Sequence, residues 1–179
     1  CRLLVARPTQ NGFHVIDSFS KPVRLGEGLE SGNDLNERAI ERTLCALEIC
    51  AKKMRRHGVS RFRSVATEAC RRAKNAQKFF DNVLERTGID IEVITRREEA
   101  RLAVSGCRSL LNGPEPFAVL FDIGGGSTQV AWLSLDGQKD LLSGTISVPF
   151  GVVTLSEKYG SESLHPKIYQ QIIDEVGEQ

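Results

Sequence analysis

The sequence predicts an α/β fold made of two lobes, and three observations lead to this prediction. Short apolar stretches typical of strands alternate with longer stretches in which apolar residues recur at helical spacing, the pattern of α/β proteins. A segment rich in glycine and proline at 112–116 interrupts both patterns and marks a boundary. The length of 179 residues suits two small lobes that share one site. We therefore expect a first lobe at 1–111 and the start of a second at 115–179.

The first predicted elements are a hairpin and a long helix. Apolar residues at 1–7 and 13–19 flank the turn sequence Gln10-Asn11-Gly12. After a glycine-rich loop at 25–29, Asp34 and Asn36 can cap a helix that runs to about residue 57. The apolar stripe of this helix, spaced by three and four residues, consists of Ile40, Leu44, Leu47, Ala51 and Met54.

Strands and helices continue to alternate along the rest of the chain. The remaining predicted elements are a strand at 62–67, a helix at 75–88, a strand at 89–93, a helix at 95–111, strands at 117–122, 128–135 and 141–148, and two short final helices. The residues that can start the second and third predicted helices are Asn75 and Thr95. The turn between the last two strands is predicted at Asp136-Gly137.

The composition indicates a globular protein without a membrane or nucleic-acid partner. Hydrophobic residues make up 40% and charged residues 26% of the chain, as is usual for soluble domains. No apolar run approaches the ~20 residues that span a bilayer. The formal net charge is only +1, so any attraction for an anion must come from local clusters. The five cysteines contain no C-x-x-C pair and indicate reduced thiols in a cytoplasmic protein.

The most specific motif is Asp-Ile-Gly-Gly-Gly-Ser-Thr at 122–128. Three consecutive glycines allow a tight turn whose bare backbone N–H groups can bind an anion. Asp122, at the end of the preceding strand, can hold a hydrated Mg²⁺. A Walker loop requires lysine and a following helix, whereas this motif has no lysine and runs into a strand. The alternative is a plain glycine turn, but the motif favours a hairpin turn that clamps phosphate.

A second motif, Thr-Arg-Arg-Glu-Glu-Ala-Arg, occupies 95–101. Thr95 and Glu98 have the spacing of a capping box, which gives Glu98 a structural role. Glu99 has no such role and lies in the first turn, where the helix dipole favours a carboxylate. A carboxylate near bound phosphate is a candidate general base. Spacing alone does not decide between that role and an ordinary acidic residue of a first helical turn.

A third motif at 66–75 directly follows a predicted strand, where α/β sheets present ligands. Arg71 can bind two phosphate oxygens through its planar guanidinium group. Arg72 and Lys74 are expected to be solvated.

Together these motifs resemble the exopolyphosphatase and guanosine pentaphosphate phosphohydrolase family, which has the actin-like (ribonuclease H-like) phosphotransferase fold. The motifs keep the family's order and extend over most of the chain. The matching positions are Arg24–Leu29, Ala66, Thr67, Ala69, Arg71, Ala73, Asn75, Glu98–Leu102, Asp122–Thr128, Pro149 and Gly151.

The resemblance implies a role for each site residue. Glu99 would be the catalytic base, Arg71 a phosphate ligand and Asp122 a magnesium ligand. The implied phosphate cradle consists of Gly124, Gly125, Gly126, Ser127 and Thr128. After Ser-Thr the family has glutamate where this chain has Gln129, so the implied metal site combines a carboxylate with a neutral amide.

The resemblance also implies a reaction. A phosphate chain would lie in a cleft between two actin-like lobes, with Mg²⁺ neutralising the terminal phosphoryl group and Glu99 activating a water. The implied substrates are polyphosphate and guanosine pentaphosphate (pppGpp), and the sequence leaves the choice between them open. It also leaves open a homodimer formed through the carboxyl-terminal part of the protein.

The two ends of the chain differ from the family pattern. The family opens with a strand carrying an Asp-x-Gly-Ser/Thr-Asn phosphate loop, and this chain starts with Cys-Arg-Leu-Leu-Val, just past that loop. It ends with Glu-Val-Gly-Glu-Gln. We expect both ends to be cuts through a longer protein, with the first lobe lacking its first strand and phosphate loop and the second lobe incomplete.

Two alternatives remain at this stage. A sugar or acetate kinase-like phosphotransferase would share the fold, but the motif at 95–101 disfavours it. A non-catalytic sensor that binds (p)ppGpp or polyphosphate belongs to another functional class. Gln129, which replaces a charged residue of the family, is the feature that supports this second alternative.

Overall fold

The computed structural model describes residues 1–10, 12–111, 114–136, 141–160 and 165–178, with the side chains of Glu30 and Ser31 left out. Asn11 of the first predicted turn, 112–113 of the predicted boundary and Gly137 of the last predicted turn lie outside the described residues. The chain divides into two compact units, Cys1–Val93 and Ile94–Gln179. The predicted α/β fold class is confirmed.

The first unit begins with the predicted hairpin. Strands β1 (Arg2–Thr9) and β2 (Gly12–Ser20) pair antiparallel, with a bulge between Val5 and Ala6. A short helix that the sequence did not predict, α1 (Leu29–Gly32), follows the glycine-rich loop.

The long helix of the first unit is α2 (Glu37–Arg56). Asn36 caps it, rather than Asp34, because the Asn36 side chain accepts a hydrogen bond from the Arg38 backbone N–H at 2.8 Å. Its predicted apolar stripe packs into the core of the unit together with α4. The most deeply buried residues of this core are Leu29, Leu35, Leu44, Cys50, Ala51, Phe79, Val83 and Ile89.

The remaining elements of the first unit are β3 (Val65–Ala66), α3 (Glu68–Arg72), α4 (Ala76–Thr87) and β4 (Glu92–Val93). The two strands are shorter than the predicted 62–67 and 89–93. They pair with each other in parallel over two residues each. The rest of each predicted range lies outside the strand, because an alternating apolar pattern does not by itself create hydrogen bonds between strands.

The second unit is built on a three-stranded antiparallel sheet. Its elements are α5 (Arg96–Cys107), a 3-10 turn (Arg108–Leu110), β5 (Phe117–Ile123), β6 (Thr128–Ser134), β7 (Leu142–Val148), α6 (Val152–Tyr159) and α7 (Pro166–Gly177). The order of the sheet is β5-β6-β7. All three strands and both final helices were predicted.

The division between the units falls before α5, whereas the sequence placed the lobe boundary after it. The physical reason is packing: Ala100 and Val104 of α5 are buried in one cluster with sheet residues Ala131, Leu133 and Leu142. A helix is part of the unit against which its apolar side packs. The glycine- and proline-rich break in the sequence does not indicate which unit that is.

Within the part of the chain that the structure describes, no helix combines the length and apolar character needed to cross a bilayer.

Candidate functional site

Three polar residues form a row across the sheet of the second unit. Asp122 of β5 lies directly opposite Gln129 of β6, and Gln129 lies directly opposite Ser147 of β7. Directly opposite residues of antiparallel strands place their side chains on the same face, with Cβ atoms about 4.5–5.5 Å apart. The three side chains therefore share one face, which we call the polar row.

The polar row lies on the side of the sheet that α5 covers. Along β6, Gln129, Ala131 and Leu133 alternate with more exposed residues and are all buried. Ala131 and Leu133 belong to the cluster that includes Ala100 of α5. Because alternate residues of a strand share a face, the Gln129 side chain lies on this side too.

Gln129 is buried without hydrogen bonds. The residue is 3% exposed, and neither its Oε1 nor its Nε2 has a hydrogen-bond partner among the described residues. The same holds for the buried Oγ of Ser147. Buried polar side chains are nearly always hydrogen-bonded, and an unsatisfied one costs about 1–3 kcal/mol. Two such residues on neighbouring strands are suited to bind a water or a ligand between them.

The glycine turn connects β5 and β6 next to the polar row. The Gly124 backbone N–H donates to the Ser127 carbonyl at 2.8 Å and closes the turn. The carbonyls of Gly124 and Gly125 accept from the backbone N–H groups of Val152 (3.0 Å) and Val153 (2.8 Å). The turn is thus tied through its carbonyls to the first turn of α6.

The backbone N–H groups of the turn, unlike its carbonyl groups, are available to a ligand. No hydrogen bond runs from the backbone N–H groups of Gly125 or Gly126 to any residue that the structure describes. Successive backbone N–H groups in a turn can bind an anion. The geometry is consistent with the phosphate cradle expected at Gly124, Gly125, Gly126, Ser127 and Thr128, which stays a prediction.

Gly151 holds the turn against α6. A Cβ atom on Gly151 would lie 2.4 Å from the carbonyl carbon and oxygen of Gly125 and 2.6 Å from the Gly124 oxygen. Such distances exclude any side chain unless the backbone moves. The glycine in the Pro-x-Gly segment is therefore required by close approach of two backbone segments.

Two other members of the predicted cradle have structural contacts. The Thr128 hydroxyl donates to the Phe150 carbonyl at 2.7 Å, which uses its only donor. Ser127 is buried, and its carbonyl accepts the Gly124 N–H. Both contacts order the turn. The Thr128 hydroxyl thereby has no donor left for a phosphate oxygen, whereas the Ser127 contact involves only its backbone carbonyl and does not engage its O–H group.

Glu99 lies in the first turn of α5, as predicted. The Thr95 side chain caps the helix by accepting from the Glu98 backbone N–H at 3.2 Å. Glu99 is partly exposed and immediately precedes the buried Ala100. It therefore lies in the first turn of the helix that covers the face of the sheet carrying the polar row.

Arg71 lies in the first unit and contacts a carboxylate. Its Nη2 and Nε atoms are 2.9 and 3.2 Å from Oε2 of Glu68. The side chains of Arg71 and Glu68 are only 17% and 6% exposed. A buried carboxylate that binds one side of the guanidinium group fixes its orientation.

The glycine-rich loop of the first unit packs near Arg71. A Cβ on Gly26 would lie 3.4 Å from the Ala69 Cβ of α3. Arg42 of α2 holds the loop, because its Nε donates to the Val23 carbonyl at 3.2 Å and its Nη2 contacts Glu27. Two of the motifs found in the sequence thus lie against each other in this unit.

The oxygen atoms of the polar row fit a hard cation. Mg²⁺ prefers one or two carboxylates together with neutral oxygens and water, and Asp122 and Gln129 supply a carboxylate and a buried amide oxygen without a partner. No group of three or more His, Cys, Asp or Glu residues suited to a metal occurs among the described residues. A cation held here would therefore keep several ligands from water or phosphate.

Two residues of interest were not assigned roles from the sequence. Glu68 could have been found, because it precedes Arg71 by three residues and such pairs meet on a helix. Ser147 could not, because its position opposite Gln129 depends on strand register.

Known proteins of one family match nearly the whole length of the chain. A profile of the Ppx/GppA phosphatase family matches residues 4–176. The crystal structure of the Aquifex aeolicus member of the Ppx/GppA protein family is 30% identical with a TM-score of 0.73, and the match covers 97% of this chain and 55% of that one.

Two further solved structures share the fold. An exopolyphosphatase-like protein is 28% identical with a TM-score of 0.87, over 99% of this chain and 56% of that one. An exopolyphosphatase from Cytophaga hutchinsonii is 23% identical with a TM-score of 0.88, over the same shares of 99% and 56%, and at this identity it supports the fold alone. The chain spans a little more than half the length of these relatives.

Proposed function

This chain belongs to the Ppx/GppA phosphatase family, and from that premise we propose that the protein is a phosphoanhydride hydrolase that releases terminal orthophosphate from polyphosphate, from pppGpp or from both. The observation that carries the proposal is the pairing of Asp122 with Gln129 beside the glycine turn. It places a carboxylate and a buried, unpartnered amide next to a backbone turn suited to phosphate.

The proposed cofactor is Mg²⁺, held by Asp122 and Gln129. When bound, it would supply charge neutralisation for the terminal phosphoryl group. Water and phosphate oxygens would complete its ligands, as expected for a cation that keeps part of its hydration.

The proposed role of Glu99 is to orient and deprotonate a water. The water oxygen forms a bond to the terminal phosphorus, the anhydride P–O bond breaks, and the products are orthophosphate and a chain one phosphate shorter. Glu99 takes up the proton of the water. Positioning and charge stabilisation account for most catalysis in phosphoryl transfer, so this residue must be held rigidly, as its place at the capped start of α5 favours.

The glycine turn and Arg71 are the proposed ligands of phosphate oxygens. The N–H groups of Gly125 and Gly126 would donate to one phosphoryl group. Arg71, oriented by Glu68, would bind phosphate through its planar guanidinium group. The proposed setting is the cytoplasm, which the five cysteines without a C-x-x-C pair favour.

The test is phosphate release by the full-length protein from long polyphosphate and from pppGpp, with Mg²⁺ and with EDTA. We expect release from at least one substrate that EDTA abolishes. Asp122→Asn should remove this activity. Asp136→Asn is the matched control, because Asp136 is exposed and contacts only Ser134 among the hydrogen bonds of the described residues.

One outcome would favour the second candidate, a sensor. The neutral Gln129 in place of a family glutamate is the observation that supports it. Tight binding of either anion with no phosphate release, under conditions where a catalytic family member is active, would replace the hydrolase by the sensor.

A further inference from the structure

We propose that Ser147 is a positioning residue of the cation site, acting through the amide of Gln129. The proposal rests on the proposed function, since it assigns a role within the same site. It starts from two facts: Ser147 and Gln129 are directly opposite on β7 and β6, and both have buried polar atoms without partners among the described residues.

The chemistry of an amide makes the second residue necessary. A carboxylate presents only acceptor atoms, so either of its oxygens can face a cation. Gln129 presents one acceptor, Oε1, and one donor group, Nε2. With Oε1 toward the cation, Nε2 must turn away from it and needs an acceptor of its own, because a buried donor without one is costly.

Ser147 is suited to supply this acceptor. Its Oγ has two lone pairs and is buried on the same face, one strand away from Gln129 on the side opposite to Asp122. No hydrogen bond joins the two atoms in the structure, but a Cβ separation of about 5 Å between opposite residues lets Ser147 Oγ accept from Nε2 through one water, or directly after a change of side-chain rotamer. The polar row is then a sequence of carboxylate, amide oxygen, amide nitrogen and hydroxyl.

This arrangement would compensate for glutamine at a position where the related family has glutamate. Groups that orient a metal ligand typically change metal affinity by about 10–100-fold when they are removed. We therefore expect loss of the Ser147 hydroxyl to weaken Mg²⁺ binding by about tenfold.

The experiment measures Mg²⁺ affinity by isothermal titration calorimetry in the full-length protein, independently of turnover. Ser147→Ala should raise the dissociation constant about tenfold, and Ser147→Thr, which keeps the hydroxyl, should stay within about twofold of the wild type. Ser143→Ala is the matched control, since Ser143 is an exposed serine of the same strand, and it should bind Mg²⁺ as the wild type does.

The decisive comparison repeats Ser147→Ala in a Gln129→Glu background. A glutamate has no N–H to satisfy, so the serine substitution should then change the dissociation constant by less than about twofold, a coupling that a double-mutant cycle resolves. Equal losses in both backgrounds would show that Ser147 does not act through the amide. Unchanged affinity of Ser147→Ala, together with a higher melting temperature, would show an ordinary buried hydroxyl and overturn the proposal.

Parallel assays separate this inference from the proposed function. Phosphate release with unchanged Mg²⁺ affinity in Ser147→Ala would refute the inference and leave the hydrolase standing. Serine-dependent Mg²⁺ binding without phosphate release would refute the hydrolase and leave the inference standing. Ser147→Gly, a second variant without the hydroxyl, must reproduce the effect of alanine if the hydroxyl is its cause.

Discussion

Gln129 lies directly opposite Asp122 across β5 and β6, so that a buried neutral amide and a partly exposed carboxylate share one face of the sheet. Two carboxylates in these positions would repel each other unless a cation lay between them. The amide removes that repulsion and leaves a weaker ligand for a hard cation. The composition of this pair should therefore affect both the stability of the metal-free protein and the affinity of the proposed magnesium site.

Gln129→Glu should make the protein depend more strongly on the cation. We expect a lower melting temperature in EDTA, because a second carboxylate is added opposite Asp122, and a larger rise when Mg²⁺ is added. Activity should be equal to or above that of the wild type, with half-maximal rate at a lower Mg²⁺ concentration. Thermal melts and a magnesium titration of phosphate release check this.

The control for this prediction is Gln129→Met, which keeps the length of the side chain but removes its polar atoms. It should raise the melting temperature in EDTA, because a buried unsatisfied amide costs about 1–3 kcal/mol. It should also weaken Mg²⁺ binding. A large loss of activity in Gln129→Glu with magnesium in excess would contradict the assignment of residue 129 to the metal site.

Glu99→Gln should abolish turnover and leave substrate binding nearly unchanged. Loss of a general base typically lowers the rate by about 10²–10⁴-fold. Glu98→Gln is the control in the same helical turn, since its backbone N–H is the one that Thr95 caps and glutamine can still serve in a capping box. Single-turnover phosphate release and substrate affinity are the measurements. Near wild-type release by Glu99→Gln would remove Glu99 from the mechanism.

Arg71→Lys should weaken binding of the phosphate chain. Lysine keeps the positive charge next to Glu68 but loses the planar fork that can bind this carboxylate and phosphate at once. The expected result is a higher KM. Arg56→Lys, at an exposed position of the same unit, is the control, because Arg72, which the sequence predicted to be solvated, is only partly exposed. Unchanged KM and kcat in Arg71→Lys would mean that Arg71 has only a structural role beside Glu68.

Features set by near neighbours in the chain could be predicted from the sequence. The Thr95 cap of α5 and the end of α4 at Gly88 depend on residues within about four positions. The glycine turn was predicted for the same reason, because its shape follows from three consecutive glycines. The family motifs then assigned roles to Asp122 and Glu99 that geometry alone would have left open.

Features set by distant parts of the chain could not be predicted. That Ser147 faces Gln129 depends on the register of β6 and β7, which shifts at a bulge between Trp132 and Leu133. A one-residue slip would have placed Ser147 on the other face. The contact of Gly151 with Gly125 likewise joins segments that the sequence alone does not bring together.

Asp17→Asn should weaken the attachment of the hairpin to α2 in a pH-dependent way. Both carboxylate oxygens of Asp17 accept from Lys53 Nζ at 2.8 Å, and His57 Nε2 lies 2.9 Å from Oδ2. These contacts, Lys53 first and then His57, lower the pKa of Asp17 from 3.8 to about 2. Because the folded state lowers this pKa, the stabilisation is present above about pH 4 and is lost as the pH falls through 2.

The measurement is the melting temperature of the wild type and Asp17→Asn between pH 2 and 7. We expect the wild type to be more stable near neutral pH and the difference to disappear toward pH 2. Asp90→Asn, at an exposed position of the same unit, controls for the loss of one negative charge. A difference that persists unchanged at pH 2 would mean that the ion pairs of Asp17 do not cause it.

Gly151→Ala should disrupt the glycine turn and through it the proposed phosphate site. A Cβ on Gly151 would lie 2.4 Å from the carbonyl of Gly125, so the turn and the start of α6 must separate. Overpacking of this kind costs about 1–3 kcal/mol, and the displaced turn should also bind phosphate more weakly, which raises KM. Gly106→Ala is the control: nothing lies within 4 Å of its added Cβ in α5, and it should be neutral or stabilising by up to about 1 kcal/mol. If Gly151→Ala retains both melting temperature and KM, α6 can move away from the turn without consequence, and the turn does not need that helix to keep its shape.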